Sequence, residues 1–511
     1  MAIVTIAAGS QISADAGADI ARQGGNAVDA ALAATLVSMI TDLGVMAPGA
    51  SGFLTIWPPD EAPVVIDAYA NRPGLGLSAL PTEPSAREVF FDYGGRMSNV
   101  VGYGSVATPG IFRGLGLASD NYGQLPWGQI MRPSIDWAER GFPLTGGAAE
   151  YLRYTHEAIF SWHPQSYEVL HHPDGSVLQA GEIVHIPDLA ESLKLIGESG
   201  VDAFYMGELG QRIAAEIQQN HGLLTAEDLA AYPAIERSPL CVRFGDWEIA
   251  TNPPPAIGGA CLAAMLLLLD HSPSQISSKA STQQLIDIQK AVLTYRSHDL
   301  DGAADLPQAV TRLLDLARQD TLRDWLRSPS TIHISAVDTD GLACSISASA
   351  GYGSGVMIEG TGLWFNNSLG EIDLHPQGVE DLSPGERLVP NMAPTIARRS
   401  DGAMLAIGSP EASRITTVIA QVLLNLVQRR MDLDTAIAAP RLHVEQIDRQ
   451  LRLAFEPGLE ISQALEMSRY PFPQTSMYFG GVQATLWEPD TGLTAAADAR
   501  RAGAIARGGR L

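Results

Sequence analysis

The sharpest change along this chain lies near residue 330, where a polar stretch is followed by short, strand-like segments. Residues 270–330 have few apolar residues per helical turn. Beyond them, apolar and small residues form runs of strand length that are separated by Gly or Asp-Gly turns. The clearest of these runs are 331–337, 343–349, 363–366 and 482–487. Residue 330 is therefore the natural boundary between a longer first part and a strand-rich last part.

Sequence patterns along the chain predict helices as well as strands. Residues 12–40 repeat apolar side chains at helical spacing, with a break at Gly24-Gly25. Thr225 followed by Asp228 is typical of a helix N-cap with an acidic first turn. Further predicted elements are strands at 53–57 and 64–69 and helices around 262–269 and 415–426. The chain as a whole is expected to be a mixed α/β protein.

Composition excludes several classes of function. The 511 residues are 46% hydrophobic and 18% charged, which is a globular composition. A formal net charge of −24 disfavours nucleic acid and anionic membrane surfaces as partners. No apolar run reaches the roughly 18 residues of a membrane-spanning helix. The first residues lack the basic region of a signal peptide, so we expect a cytoplasmic protein.

Cysteine and histidine positions give no metal or redox motif. Three cysteines occur at wide spacing, namely Cys241, Cys261 and Cys344. We expect all three to be buried apolar residues, because their number is odd and no CxxC occurs. His156, His171 and His172 do not form a spaced metal-binding set, and we expect them in solvent-exposed loops. No GxSxG and no phosphate-binding loop with Lys occurs, so neither an α/β-hydrolase triad nor any cofactor is expected.

Sequence blocks far from Thr331 indicate that this residue has a function beyond its place in a strand. A Thr at the start of a strand is ordinary, because Thr is favoured in strands. The chain, however, resembles γ-glutamyltranspeptidases over nearly its whole length. The blocks that carry the resemblance are GGNAVDAA at 24–31, ATPG at 107–110, YGQLPW at 122–127, LTAEDLAAY at 224–232, PPP at 253–255, NMAPT at 391–395, GSPEASR at 408–414, APRLH at 439–443 and AADARRAG at 496–503.

The resemblance implies the four-layer αββα fold of N-terminal-nucleophile hydrolases and cleavage between Ser330 and Thr331. A large subunit, 1–330, and a small subunit, 331–511, would then remain together as one αββα unit. The family usually has Thr-Thr-His where this chain has Thr331-Ile332-His333. A Thr hydroxyl is a weak nucleophile that needs a base. A new terminus provides an α-amine with a pKa of about 7.7–8.0, which suits that work.

The resemblance also assigns supporting roles at the reaction centre. Ser349 stands where the family has a Thr whose hydroxyl supports the new terminus; the alternative is an ordinary strand Ser. The family holds the oxyanion with backbone N–H groups of a Gly-Gly pair, and this chain has Glu411-Ala412 there. Backbone donors need no Gly side chain, so the oxyanion hole is expected to survive.

Substrate recognition departs further from the family. Arg87 aligns with the Arg that binds the substrate carboxylate; the alternative is a surface Arg in an ion pair. Asn391, with Pro390, replaces two Ser residues that also hold this carboxylate. Of the three positions that gather the substrate's α-amino group, only Glu371 retains a carboxylate. The other two correspond to Gly351 and Ser368.

We therefore expect an autoprocessed amidohydrolase that acts on a small, carboxylate-bearing amide of the oxamate type through an acyl-enzyme. Two alternatives stay open. One is a genuine γ-glutamyltransferase or glutathione hydrolase, and the other is a non-catalytic member that keeps only the fold. The expected partners are a small amide and the protein's own second subunit, and a higher oligomer of this heterodimer stays open.

Overall fold

The computed structural model describes most of the chain. The described residues are 2–79, 81, 85–92, 96–271, 278–319, 322, 331–372, 374, 378–379, 381–410, 414–447, 450–462, 465 and 467–509. Three residues with expected roles, Ser330, Glu411 and Ala412, lie outside them. No helix among the described residues is both long enough and apolar enough to cross a membrane.

The strands fall into two large sheets and several small ones. They are β1 (Val4–Ala8), β2 (Ser51–Trp57), β3 (Val64–Ala68), β4 (Arg87–Asp92), β5 (Arg96–Val101), β6 (Phe142–Pro143), β7 (Ile183–Val184), β8 (Ile235–Arg237), β9 (Leu240–Phe244), β10 (Trp247–Thr251), β11 (Ile332–Asp338), β12 (Ala343–Ser349), β13 (Met357–Ile358), β14 (Leu363–Trp364), β15 (Thr395–Arg399), β16 (Met404–Gly408), β17 (Leu442–Ile447), β18 (Gln450–Phe455), β19 (Ser468–Pro471), β20 (Gln483–Glu488), β21 (Gly492–Ala497) and β22 (Ala504–Gly508).

The α-helices lie mostly in the first part of the chain. They are α1 (Gln11–Arg22), α2 (Ala27–Thr41), α3 (Ile111–Tyr122), α4 (Trp127–Arg140), α5 (Gly146–Thr155), α6 (Pro164–Leu170), α7 (Leu189–Ser199), α8 (Asp202–Tyr205), α9 (Glu208–Gln219), α10 (Ala226–Ala231), α11 (Ile257–Asp270), α12 (Ser278–Tyr295), α13 (Leu306–Arg318), α14 (Arg414–Leu423) and α15 (Leu433–Ala438).

Two antiparallel sheets pack face to face between layers of helices. The first sheet has the order β22-β1-β11-β12-β2-β3-β8, and the second has the order β21-β20-β16-β15-β10-β9. A core of buried residues from both sheets joins them, including Trp57, Val337 and Ile396. The outer face of the first sheet packs against α1 to α4, and that of the second packs against α11 to α14. This is the expected four-layer αββα arrangement, in which sheet twist keeps the facing strands roughly aligned.

Strand β1 links the two ends of the chain. It pairs with β11 on one side, with Val4 opposite Asp338, and with β22 on the other, with Val4 opposite Gly508. A strand from the first ten residues thus lies between two strands from beyond residue 330. The parts before and after the boundary share one continuous hydrogen-bonded sheet.

Several local expectations are confirmed, whereas those for Cys241, His156 and His171 are wrong. His156 is half-buried and begins the helical turn His156–Phe160 instead of lying in an exposed loop. The helical stretch at 12–40 divides into α1 and α2 around Gly24-Gly25, and Thr225 forms a reciprocal cap with Asp228 at the start of α10. Cys241 is exposed rather than buried, because it lies on β9, the edge strand of the second sheet, where side chains alternate between core and solvent. His171 is buried rather than exposed, since its ring stacks on Tyr167 and its Nε2 lies 2.9 Å from His156 Nδ1.

Candidate active site

Thr331 stands at the entrance to the space between the two sheets. It directly precedes β11 and is 2% exposed. Side chains of β11 alternate between the faces of the first sheet, so that Ile332 and Ile334 pack towards the helices while Val337 packs towards the second sheet. Thr331 is an even number of residues from Val337, so the two side chains point to the same face of the sheet. Its hydroxyl therefore faces the second sheet, at the open end of the sandwich.

Ser349 lies opposite Thr331 across the β11–β12 pair. Ile332 pairs with Ala348, so Thr331 and Ser349 are the next residues in the same register. Ser349 is 4% exposed, and its Oγ accepts a hydrogen bond of 2.8 Å from the backbone N–H of Gly351. The two hydroxyls thus belong to one face of one strand pair, and that of Ser349 is fixed by the turn that follows it.

A row of polar side chains continues from Thr331 into the sandwich. His333 lies next to Ser347, with Nδ1 2.9 Å from its Oγ, and Nε2 lies 2.9 Å from Ser335 Oγ. Ser345 Oγ lies 3.4 Å from the same Nε2. Burial lowers the pKa of His333 to about 3, so the ring is neutral at physiological pH. Both ring nitrogens have hydroxyl partners, which satisfies a group that would otherwise be costly to bury.

Gly408 makes room for the His333 ring. A Cβ at position 408 would lie 2.3 Å from His333 Cε1 and 2.4 Å from Nδ1. The two sheets approach so closely here that any side chain at the end of β16 would displace the ring. Gly408 is followed by Ser409 and Pro410, and Pro410 lines the cleft described next. The close packing of Gly408 on the His333 ring therefore holds the segment between β16 and α14 near the Thr331 end of β11.

A cleft opens beside Thr331. Its walls come from segments that are distant in sequence: the end of β1, the end of α2, the start of α5, the start of β11, and the turn before β22. The lining residues are Gly9, Asp42, Val45, Thr145, Gly146, Gly147, Ala148, Glu150, Thr331, Ile332, His333, Pro410, Met477, Gln483, Arg500, Arg501 and Ala502. A buried hydroxyl at the edge of a concave site that brings acidic and basic side chains together is a candidate nucleophile.

Glu371 lies next to the turn that holds Ser349. Gly351 in this turn has φ = 66°, and a Cβ there would lie 2.3 Å from Asn367 Oδ1 and 3.1 Å from Glu371 Cδ. Glu371 is 2% exposed. The Glu371 carboxyl group thus lies beside Gly351, and the Gly351 N–H donates to Ser349, the residue opposite Thr331.

Arg87 begins the β4–β5 hairpin, where it pairs with Val101, and the neighbouring Val100 backbone lies against Gly370. The hairpin approaches the turn after β12, where Phe91 and Tyr352 have ring centroids 5.4 Å apart. Arg87 is exposed; its Nη2 donates to Ala158 O at 3.1 Å, and its guanidinium carbon lies 5.0 Å from the Trp162 ring centroid. These contacts orient the guanidinium without an acidic partner among them.

Asn391 is buried in the loop before β15. It is 3% exposed, and its backbone carbonyl packs against Gly258 at the start of α11, where a Cβ would lie 2.2 Å from that oxygen. The described lining of the cleft includes neither Asn391 nor Arg87 nor Glu371. None of these three expected substrate-binding residues therefore lines the cleft, and Glu371 lies beside the turn after β12.

The profile of the family described as gamma-glutamyltranspeptidase matches residues 13–508. The chain belongs to this family. It is 28% identical to a glutathione hydrolase proenzyme of Pseudomonas aeruginosa, over 94% of this chain and 90% of the relative. It is 30% identical to the acylase ACY 1 proenzyme of Pseudomonas sp. strain SE83, over 95% of this chain and 90% of the relative. Relatives of this family member are therefore hydrolases of amide bonds.

The fold of this gamma-glutamyltranspeptidase family member matches a solved acylase. The crystal structure of cephalosporin acylase from Bacillus halodurans superposes with a TM-score of 0.77 at 22% identity, covering 99% of this chain and 96% of that one. A match at this identity shows that the two proteins share one fold. The αββα fold expected from the sequence is thereby confirmed.

Sequence reasoning missed three polar residues of this family member's cleft. Asp42 follows α2, Gln483 begins β20, and Arg501 lies just before β22. They are separated by up to about 460 positions, and no local spacing pattern connects them. They come together only in the folded protein, where β20 of the second sheet packs on β11 of the first and the end of α2 and the turn before β22 lie beside them. Glu411 and Ala412, the expected oxyanion donors, fall outside the described residues, between Pro410 at the cleft and Arg414 at the start of α14.

Proposed function

We propose that this protein is an N-terminal-threonine amidohydrolase that cuts its own precursor between Ser330 and Thr331 and then hydrolyses a small, carboxylate-bearing amide of the oxamate type. The large and small subunits would be 1–330 and 331–511. The observation that carries the proposal is the location of Thr331, at the start of a buried central strand and at the edge of the cleft. The word proenzyme in the names of both relatives supports the processing step.

In the proposed reaction the Thr331 hydroxyl attacks the amide carbonyl carbon, and the free α-amine of the same residue takes its proton. The tetrahedral intermediate breaks its C–N bond, the departing nitrogen receives that proton, and an ester to Thr331 remains. Water then attacks the ester, and the acid leaves as the hydroxyl is restored. Backbone N–H groups at Glu411 and Ala412 would hold the oxyanion. Ser349, opposite Thr331 in the strand register, would orient the new amine or the hydroxyl.

The proposed type of substrate is inferred from Arg87, Gly351 and Glu371. Arg87, steadied by Trp162 and by the Ala158 carbonyl, offers a guanidinium suited to a carboxylate. Gly351 has no side chain to hold an amine, which leaves Glu371 as the carboxylate in that region. An acid-bearing amide without an α-amino group is therefore the better fit.

A second candidate is glutathione hydrolysis or γ-glutamyl transfer. It is favoured by the relative from Pseudomonas aeruginosa, which is named a glutathione hydrolase proenzyme, and by the buried Glu371. In that reaction Glu371 would bind the α-amino group of the γ-glutamyl donor.

Mass spectrometry of the purified protein tests the processing step. The 54.3 kDa chain should yield two fragments, one of which begins with Thr331. Thr331→Ala should remain uncut, and Thr331→Ser should be cut more slowly. Efficient cleavage of the Thr331→Ala variant at this bond would refute self-processing by Thr331.

A substrate panel separates the two candidates. Oxamate and other small acid amides should be hydrolysed at least as well as a γ-glutamyl anilide. A strong preference for the γ-glutamyl anilide, lost when its α-amine is removed, would instead establish the second candidate.

A further inference from the structure

The side chain of Asn367 joins the turn after β12 to the β4–β5 hairpin. It is fully buried, and its Oδ1 accepts a hydrogen bond of 2.8 Å from the Tyr352 N–H. Its Nδ2 donates to Asn99 Oδ1 at 2.6 Å and to Val100 O at 3.0 Å. Asn367 directly precedes the helical turn Ser368–Gly370, yet its side chain makes no capping hydrogen bond there. The amide group is therefore committed to two other segments of the chain.

On one side, Asn367 fixes the turn that holds Ser349. Its backbone N–H donates to Ala350 O at 3.2 Å, so main chain and side chain both bind this turn. A Cβ at Gly351 would lie 2.3 Å from Asn367 Oδ1, which shows how closely the turn packs on the amide. The Gly351 N–H donates to Ser349 Oγ at 2.8 Å. The Ser349 hydroxyl and the Asn367 amide thus bind adjacent N–H groups of one turn.

On the other side, Asn367 fixes β5, the strand that pairs with the strand of Arg87. Arg87 lies opposite Val101 in this hairpin. The two acceptors of the Asn367 Nδ2, on Asn99 and Val100, are within two residues of Val101. Asn99 is itself 2% exposed. One amide group therefore connects the support of Ser349 with the strand that locates Arg87.

Other contacts hold the hairpin on the same turn without Asn367. The Gly102 N–H donates to Ser354 O at 2.9 Å, and the rings of Phe91 and Tyr352 have centroids 5.4 Å apart. The hairpin should therefore stay attached when the Asn367 amide is removed. What is lost is the fixed distance between the start of the hairpin and the turn.

We propose that Asn367 is a positioning residue, which sets the separation between the Arg87 guanidinium and the Thr331 hydroxyl and thereby selects the length of the substrate's acyl half. Thr331 enters because it lies opposite Ser349 in the β11–β12 pair. The inference rests on the proposed function, since that function makes Arg87 the carboxylate anchor and Thr331 the nucleophile. A short acyl chain with a carboxylate at one end and the scissile carbonyl at the other reaches both groups at one separation only.

A series of anilides tests the length selection through an internal ratio. The half-anilides of oxalic, malonic, succinic and glutaric acid each end in a free carboxylate and differ by one methylene. Wild type should prefer one length over its neighbours by about 10- to 100-fold in kcat/KM, because a misplacement of about 1 Å can cost about 100-fold. Asn367→Ala should reduce this preference to about 3-fold or less. A variant that is only less well folded loses activity equally for every length, which leaves the ratio unchanged.

Two further variants test the connection from the hairpin side. Asn99→Leu removes the acceptor on β5 but keeps a side chain of similar size, so it should weaken the length preference in the same direction even if Asn367→Ala does not fold. In an Arg87→Met background the preference should already be lost, and Asn367→Ala should then change it no further. A preference that persists in full in Asn99→Leu and Asn367→Ala would overturn the proposal.

A buried Asn in the helical layer of the second sheet serves as the matched control. Asn425 is 4% exposed, its Nδ2 donates to Ala436 O at 3.2 Å, and its Oδ1 accepts from Arg429 at 2.7 Å. Asn425→Ala should lower the urea midpoint of unfolding, as Asn367→Ala should, because each leaves buried partners unsatisfied. Asn425→Ala should nevertheless keep the wild-type length preference, and equal loss of the preference in both variants would mean that Asn367 acts only through stability.

Binding of dicarboxylates separates this inference from the proposed function. Oxalate, malonate, succinate and glutarate are the acids that hydrolysis of the anilides would release, and calorimetric titration gives their affinities for the purified protein without turnover. Wild type should bind one length about 10-fold more tightly than its neighbours, and Asn367→Ala should remove the difference. If no anilide is hydrolysed while this preference and its dependence on Asn367 remain, the proposed function fails and the role of Asn367 stands. If wild type hydrolyses every length equally well, the proposed function stands and the role of Asn367 is refuted.

Discussion

Replacing Gly408 with Ala tests how tightly the two sheets close over the polar row behind Thr331. The added Cβ would lie 2.3 Å from His333 Cε1, 2.4 Å from Nδ1 and 2.6 Å from Nε2. An ordinary contact begins near 3.4 Å, so the ring must retreat by about 1 Å. That movement breaks the 2.9 Å contacts with Ser347 and Ser335. Overpacking costs about 1–3 kcal/mol, and unsatisfied buried partners cost about 1–3 kcal/mol more.

Gly408→Ala should therefore lower the free energy of unfolding by roughly 2–6 kcal/mol, measured by urea unfolding of the processed protein. In a His333→Ala background the ring is absent, so the same substitution should cost less than about 1 kcal/mol. Gly146→Ala, at the start of α5 with no atom within 4 Å of the new Cβ, serves as the control and should change stability by at most about 1 kcal/mol. A Gly408→Ala protein as stable as wild type, or an equal loss in both backgrounds, would refute the close packing of His333 on β16.

Three further predictions address the reaction and its pH range. Ser349→Ala should reduce kcat by about 10-fold or more in steady-state assays, since one positioned hydrogen bond is lost, and wild-type turnover would make Ser349 an ordinary strand residue. Arg87→Met should lower kcat/KM for acid-bearing amides by about 30- to 1000-fold and leave self-cleavage intact on a denaturing gel; unchanged kinetics would make Arg87 a surface residue. Burial holds the pKa of His333 at about 3 in the folded protein against 6.5 for the free side chain, so only the unfolded chain takes up this proton as pH falls below 6.5. Wild type should lose up to about 2 kcal/mol more stability than His333→Asn between pH 7 and 5 in urea titrations, and equal pH dependence would contradict the lowered pKa.

Local sequence patterns predicted the elements that carry the polar row, because their causes are local. The strand at 343–349 coincides with β12, and the one at 331–337 coincides with β11 to within one residue. All seven residues of each strand are buried, as expected for central strands that are covered on both faces. The roles of Thr331 and Ser349 came from the family resemblance, and they stay predictions whose test is the activity of the variants.

Features that depend on three-dimensional neighbours could not be predicted. Cys241 was expected to be buried because Cys usually is, yet its exposure follows from the edge location of β9, which the sequence of β9 does not reveal. His171 was expected in a solvent-exposed loop because it belongs to no spaced metal-binding set, yet Tyr167 and His156 cover it. The location of Arg501 in the cleft could not be predicted from the sequence. It depends on the absence of a side chain at Gly481 and on a cleft that several distant segments enclose.

The location of β1 between β22 and β11 has a consequence for protein engineering. Because β1 and β22 pair from Val4 with Gly508 to Ala8 with Ala504, the chain returns to its own beginning, and Gly509 lies against Ala2. A short linker across this gap would allow a circular permutant that opens at Thr331 and runs through the old ends to the residues before the boundary. After removal of the initiator Met, such a chain would carry the free Thr331 amine without any cleavage. Comparing its turnover with that of the self-cut enzyme would distinguish the hydrolysis of substrate from the peptide-bond cleavage that normally precedes it.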